Sequence, residues 1–255
     1  YKMINSRVKT SVEFDRTVTG YQPVKFLMSA DNEKAFANNQ STNDLPIYRY
    51  AEALLIFAEA KAELGTLTQT DLDNSVNVIR SRVGMPKMDL EKCNSDPDVK
   101  YLLNPDYGYS HISGANAGVI AEIRRERTVE LAQEGNRRWD DLLRWREGKC
   151  NEQTIYGQYF PSLGAFDIDG DGVVDVYLYD DTMSPSKSGV DKGKWIKIGT
   201  DNYLSGKTSG YLEPFQNITR SFNEDRDYFY PIPIGERTKN HNLTQNPGWD
   251  DDLDF

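Results

Sequence analysis

From the Leu45-Pro46 step to Gly65, apolar residues recur at three- and four-residue intervals, which is the spacing of one helix face. This stripe consists of Ile47, Tyr50, Ala51, Leu54, Leu55, Ala58 and Ala62. Glycine just after a helix readily adopts the left-handed conformation of a C-cap. The pattern therefore predicts an amphipathic helix that ends at Gly65.

A second apolar stripe with helical spacing follows after a short connection and runs to Gly84. Thr70 and Asp73 have the spacing of a capping box at its start. Because the connection is short, the two helices should be antiparallel, and a pair of this size is the unit of tetratricopeptide-like arrays. The members of the second stripe are Leu72, Val76, Ile79 and Val83.

Helical spacing resumes at Asn116, a candidate N-cap, and continues to a stop near Gly135. A further short helix, from Arg138 to Arg146, carries Trp139 and Trp145 at positions that suit the core. The apolar positions of the longer helix are Val119, Ile120, Ile123, Val129 and Leu131.

These patterns divide the chain into four segments. Residues 1–45 are an irregular lead-in that continues from something upstream, and residues 46–149 are a helical scaffold. Residues 150–226 are rich in aromatics, Gly, Asp and Ser, which predicts a long, partly β excursion. Alternating prolines in residues 227–255 indicate an extended strip that packs on the scaffold. The predicted fold class is mainly α, with helix pairs as scaffold and long irregular, partly β loops.

The charge balance and the cysteine count exclude several classes of protein. Asp and Glu number 40 against 30 Lys and Arg, and the formal net charge of -10 disfavours binding to nucleic acid or anionic lipid. The longest apolar run, Ala53–Ala58, is far shorter than the roughly 20 residues of a membrane span. Cys93 and Cys150 are too few for a disulfide framework or a structural zinc site, and the sequence leaves one bridge or two thiols open.

An Arg- and Glu-rich run extends from Ile123 to Gly135, with the sequence IRRERTVELAQEG. An enzyme could use two of these carboxylates as acid and base. The simpler interpretation is a helix whose Arg–Glu pairs bridge to neighbouring helices, with the glutamate pKa values lowered by the arginines. The sequence also lacks a nucleophile elbow and a dinucleotide fingerprint, and its only histidines, His111 and His241, lie far apart. No enzyme is therefore expected.

The segment Asp167–Asp175 places carboxylates at alternate positions with a glycine at the turn, as in a calcium-binding loop. Leu178 occupies the position at which an EF-hand has its bidentate Glu, and flanking helices are not predicted. The sequence thus indicates a calcium loop outside an EF-hand, with a solvated Asp/Gly turn as the alternative. The ligands would be the side chains of Asp167, Asp169, Asp171 and Asp175 and the carbonyl of Val173.

Aromatic side chains in the excursion are the candidates for ligand binding. Tyr and Trp combine a flat apolar face with a polar tip, which matches the C–H face and the hydroxyls of a sugar ring. Most of the aromatics should be core. Trp195, Tyr203 and Tyr211, set among Gly, Ser, Asp and Lys, are the better candidates for an exposed binding surface.

Three ordered stretches, Leu45–Ala60, Ile123–Trp145 and Phe229–Trp249, together resemble the SusD/RagB family, whose members are glycan-capture lipoproteins of the Bacteroidetes outer membrane. The resemblance implies a mostly helical scaffold with tetratricopeptide-like pairs, held at the cell surface by a lipid anchor. Because family members are usually longer, the chain corresponds to their carboxy-terminal half, and the anchor lies outside this sequence. Ligand residues vary within the family, so none is carried over.

The resemblance implies a glycan-binding protein that passes nutrient to a SusC-like TonB-dependent transporter without chemistry. The absence of a catalytic motif from the sequence agrees with this function. One alternative is a glycosidase that uses two carboxylates across a cleft. Another is a helical-repeat scaffold that grips a protein segment.

Overall fold

The computed structural model contains two compact units. A helical unit comprises Pro46–Gln153 and the chain from Arg220 onward, and a strand unit contains Thr154–Thr219. No helix in the part of the chain that is described is long and apolar enough to cross a membrane. The structure describes residues 25, 44–96, 102–104, 108–168, 170–200 and 202–249.

Seven α-helices are described in the helical unit. The first, α1, contacts both α3 and α5, and α4 packs against α5. Together with the short strands of the other unit, these helices give a mixed fold, so the prediction of a mainly α chain is confirmed only in part. The helices α1 to α7 span Tyr50–Glu63, Gln69–Asp73, Val76–Arg82, Leu90–Ser95, Ala117–Glu130, Arg137–Trp145 and Ile234–Lys239.

The first predicted helix exists but starts later than expected. Because α1 begins at Tyr50, Ile47 lies outside it, and both of these residues are exposed instead of buried. The end is confirmed: Gly65 has a φ of +69°, and the Thr66 N–H donates to the Lys61 carbonyl. The remaining stripe is buried as predicted at Leu54, Leu55, Ala58 and Ala62.

The second predicted helix is two short helices, α2 and α3, separated by Asn74 and Ser75. The Ser75 hydroxyl donates to the Asp71 carbonyl, and such local bonds compete with helix continuation. The capping box is formed by Thr68 and Asp71, so its prediction at Thr70 and Asp73 is wrong. The stripe is buried at Leu72, Val76 and Ile79, whereas Val83 is exposed.

The third predicted helix, α5, begins where the sequence indicates, but by another interaction. The Asn116 side chain does not cap α5; its amide donates to the Ala62 carbonyl at the end of α1. Gly118 lets α5 approach α4 closely, since a Cβ there would lie 2.2 Å from the Cys93 carbonyl oxygen. Val129, which was predicted to be apolar core, is exposed, whereas the remaining stripe residues are buried.

Cys93 and Cys150 are free thiols, and burial raises the pKa of Cys93 to about 11.

The carboxy-terminal segment contains a helix where an extended strip was predicted for residues 227–255. Pro233 occupies the N-cap of α7 with φ -56°, a position that needs no backbone N–H donor. The proline therefore precedes the helix instead of excluding it. The chain before α7 is held by Gln245, whose amide group bonds both the N–H and the carbonyl of Ile232.

The strand unit contains two three-stranded sheets. One has the order β1-β6-β5, with antiparallel neighbours; the other has the order β2-β3-β4, in which β3 and β4 are parallel. The strands β1 to β6 span Tyr159–Phe160, Gly164–Phe166, Val176–Tyr179, Trp195–Lys197, Tyr203–Leu204 and Gly210–Glu213. Both sheets contribute to one apolar cluster, formed by Phe160, Val176, Leu178, Ile198, Leu204 and Leu212.

Charged side chains in the helical unit are paired between elements. Arg127 on α5 donates to Asp141 on α6 at 2.7 Å, and Arg49 donates to Glu130 and Glu134. The interpretation of the Arg- and Glu-rich run as ion pairs to neighbouring helices is thus confirmed. The expectation of lowered glutamate pKa values is wrong for Glu126, because burial raises its pKa against the opposing charges of Arg80 and Arg125.

Glu59 on α1 binds two side chains of α6. It accepts hydrogen bonds from both terminal nitrogens of Arg144, at 2.6 and 2.8 Å, and from the Trp145 indole at 2.6 Å. Burial alone would raise the pKa of Glu59, but the bonds from Arg144 and Trp145 and the arginine charge outweigh it, and the pKa is lowered.

We expect this lowered pKa to make stability depend on acid pH. A carboxylate whose pKa is lower in the folded state stabilises the protein above its unfolded pKa, and this contribution is lost as the pH falls through the folded value. Glu59→Gln should therefore destabilise the protein at pH 7 and weaken the loss of stability on acidification. Urea unfolding between pH 7 and pH 3 measures both effects, with the exposed Glu91→Gln as control. A variant with the wild-type pH profile would contradict the assignment.

Candidate functional site

Three tyrosines form an exposed aromatic group in the strand unit, here called the tyrosine trio. Tyr156, Tyr159 and Tyr211 are 52%, 52% and 49% exposed. The ring centroid of Tyr211 lies 5.7 Å from that of Tyr156 and 5.3 Å from that of Tyr159, with interplanar angles of 55° and 71°. Large aromatic rings that remain half exposed while contacting one another offer apolar area to a ligand.

Strand pairing between β1 and β6 brings the trio together. Tyr159 lies directly opposite Tyr211, whereas their strand neighbours Phe160 and Leu212 are buried in the core. Backbone bonds from Gly157 to the Leu212 carbonyl and from Leu212 to the Gln158 carbonyl extend the pairing toward Tyr156. The rings are thus mounted on paired backbone, which limits the entropy lost when a ligand binds.

The turn between β5 and β6 depends on a close approach at its base. Gly210 has a φ of +113°, and a Cβ at this position would lie 2.2 Å from the Ser205 hydroxyl oxygen. The hydroxyl of Ser205 in turn accepts a hydrogen bond from the Tyr211 N–H at 2.9 Å. Glycine at position 210 therefore allows the contact that fixes the backbone of Tyr211.

Of the three aromatics predicted from the sequence, Tyr211 is central to the trio. Tyr203 lies in the same sheet, but it is only partly exposed, and its hydroxyl accepts a bond from the Asn217 amide at 3.2 Å. Trp195 lies on β4 in the other sheet, where its indole donates to the Val190 carbonyl and its ring contacts Tyr179 edge-on. The ring contacts therefore connect Tyr211 with residues that the sequence analysis missed.

The sequence analysis missed Tyr156 and Tyr159 because their place beside Tyr211 depends on how β1 pairs with β6. Tyr159 pairs with a residue more than fifty positions away, and β1 has only two residues. Such a short strand has no detectable alternation of its own. The sequence does show two tyrosines three residues apart in a loop-rich segment. This spacing does not indicate which strand lies beside them.

The predicted calcium loop is a turn held by its own aspartates. The Asp167 carboxylate accepts the backbone N–H groups of Gly170 and Gly172, both at 2.7 Å. Asp171 accepts the N–H of Val173 at 2.8 Å, and the buried Asp175 accepts that of Ile168 at 2.8 Å. Loop backbone and carboxylates therefore form one hydrogen-bonded turn.

The described part of this loop does not by itself form a metal site. Within the described residues, no group of three or more His, Cys, Asp or Glu side chains is placed to hold a metal ion. Asp169, one of the predicted ligands, lies outside the described residues. The calcium ligands therefore stay a prediction from the sequence.

Comparison with known proteins gives the class of this chain. The model of the SusD family matches residues 1–249, and the chain belongs to this family. A comparison with curated proteins finds no match.

Two solved structures from Bacteroides fragilis are similar to the chain. One, a SusD-like protein, is 23% identical with a TM-score of 0.45 over 81% of this chain. The other, described as a SusD-like carbohydrate-binding protein, is 26% identical with a TM-score of 0.46 over 80% of this chain. The match covers 26% and 30% of these two chains, so this sequence spans less than a third of their length.

Proposed function

We propose that this protein binds a glycan on the tyrosine trio and delivers it to a TonB-dependent transporter at the outer-membrane surface. The observation that carries the binding proposal is the group of half-exposed rings on paired strands. Membership of the SusD family supports the same function, as does the carbohydrate binding ascribed to one similar structure. The helix pairs of the other unit would be the tetratricopeptide-like scaffold, and a lipid anchor outside this sequence would hold the protein at the cell surface.

The geometry of the trio favours non-covalent capture. Its rings present apolar faces to sugar C–H groups, and the phenol hydroxyls can exchange hydrogen bonds with sugar hydroxyls. The neighbouring Glu213 is buried and accepts a bond from the Gln216 amide at 2.9 Å, so it has a structural partner. Binding without bond cleavage therefore fits the chemistry of this surface better than a glycosidase does.

Substituting the central ring tests the site. Tyr211→Ala should weaken glycan binding about tenfold, because it removes the ring that contacts both others, and one aromatic contact is worth roughly 1 kcal/mol or more. The measurement is binding to a glycan array, followed by titration of the strongest glycan. Tyr50→Ala removes a more exposed tyrosine of the helical unit and should leave binding unchanged.

Two outcomes would reject the glycan proposal. If Tyr211→Ala and Tyr50→Ala bind the best glycan as tightly as the wild type, the trio is not the site. If incubation with that glycan releases shorter products, the protein is a hydrolase. Delivery to a transporter is tested separately, by co-purification of the full-length protein with a SusC-like partner from outer membranes.

We also propose that calcium binds the loop from Asp167 to Asp175. The support is the alternate spacing of its carboxylates, which provide the oxygen ligands that this hard cation prefers. Bound calcium would stiffen the turn between β2 and β3.

Calcium should raise the melting temperature of the protein, and a chelator should lower it. Asp171→Asn removes one ligand charge and should abolish most of the shift, whereas Asp181→Asn changes an exposed aspartate outside the loop and should not. Differential scanning calorimetry with calcium or a chelator, together with metal analysis of the purified protein, gives the answer. If neither calcium nor the chelator changes the melting temperature, the proposed calcium site is rejected.

A further inference from the structure

A small cavity lies beside the start of α6 in the helical unit. Its volume is about 50 Å³, and its lining includes three arginines, Arg127, Arg137 and Arg138, together with Asp141. A single water needs about 10–15 Å³ of such volume, so this space corresponds to about three to five water-sized groups. The cavity thus has room for a small polar group that its arginines would attract.

Arg127 is the buried donor at this cavity. It is only 5% exposed; its Nε donates to Asp141 at 2.7 Å, and its Nη2 lies 3.4 Å from Glu52. Its Nη1 is buried and has no hydrogen-bond acceptor among the residues that the structure describes. A buried donor without a partner costs about 1–3 kcal/mol, and more when the group is charged, so an acceptor at Nη1 would stabilise the protein.

The first turn of α6 adds further donors. Helix N-termini leave N–H groups without intrahelical acceptors, and their partial positive charge favours anions. The side chain of Asn136, at the N-cap, makes no capping bond; its amide lies 3.4 Å from the Asp140 carboxylate. The backbone donors beside Arg137 and Arg138 are therefore not satisfied by the residue that usually caps a helix.

Local charges permit one small anion. Two aspartates oppose it: Asp140 in the first turn and Asp141 in the lining. Asp141 is already neutralised, because its two oxygens accept from the Nε atoms of Arg127 and Arg144. Arg127 and Arg137 also pair with Glu52, at 3.4 and 3.2 Å, so the positive charge left for an anion is that of Arg138, which has no carboxylate partner among the described residues.

We propose that this cavity binds a carboxylate group. A carboxylate has three heavy atoms in a plane, which matches the volume, and it accepts the parallel donors of a guanidinium. A phosphate would bring more negative charge than the one lining arginine without a carboxylate partner can balance. The carboxylate could belong to a free carboxylic acid or to an acidic sugar, and these two sources share the same chemistry at the site.

The experiment compares acetate, glucuronate and glucose as probes of the intact protein by saturation-transfer NMR at constant ionic strength. Acetate should show saturable binding. If the site takes acidic sugars, glucuronate should bind as well and compete with acetate, whereas neutral glucose should not compete. Acetate binding without glucuronate binding would assign the site to free acids. No saturable binding of either carboxylate would show that the cavity holds water only and would overturn the proposal.

Arg127→Lys keeps the positive charge but removes the donor at Nη1, so it should weaken acetate binding about tenfold, the loss of one charge-assisted hydrogen bond. Arg125→Lys is the matched control, since Arg125 lies on the same helix, is half exposed and does not line this cavity. Should Arg127→Lys fail to fold, the exposed Arg138→Gln serves instead and should weaken binding several-fold.

Unchanged acetate affinity in the folded Arg127→Lys or Arg138→Gln variant would also overturn the proposal. The test is independent of the proposed glycan site. Tyr211→Ala alters the strand unit and should leave acetate binding as it is, and loss of glycan binding says nothing about this cavity.

Discussion

The helical unit depends on the pairing of buried charge between its helices. Arg127 reaches Asp141 on the next helix, Arg80 reaches Glu126, and Glu59 binds Arg144 and the indole of Trp145. For Arg127–Asp141 and Arg80–Glu126, whose partners are all largely buried, removing one partner costs about 3–5 kcal/mol, because the other charge stays buried. The helices α1, α3, α5 and α6 can therefore move along or around one another only by breaking several of these contacts together. Apolar packing alone would resist such shifts less strictly.

This arrangement explains which parts of the helical fold the sequence predicts. Apolar spacing locates α1 and α5 because a long stripe must face a core, and Leu55, Ala58 and Ile123 are buried accordingly. Helix ends are predicted less well because they depend on single hydrogen bonds. The Asn116 side chain bonds another helix instead of capping its own, and Ser75 interrupts a stripe whose spacing continues through the break.

The strand unit is predicted less well from the sequence than the helical unit. Its strands are two to four residues long, and β1 pairs with a strand more than fifty positions away, so local alternation gives little information. Residue chemistry was sufficient to single out Tyr211 as a candidate for an exposed surface, because its neighbours are small and polar. The rings that surround it follow from the register of β1 against β6, which only the folded chain supplies.

The same register has a consequence for how this surface can diversify. On β1 and β6 the outward positions, Tyr159 and Tyr211, alternate with the inward positions, Phe160 and Leu212. A change in an outward ring therefore leaves the apolar cluster untouched, whereas a slip by one residue would exchange the two sets. Substitutions at the outward positions could thus change the chemistry of this surface without compensating changes in the interior.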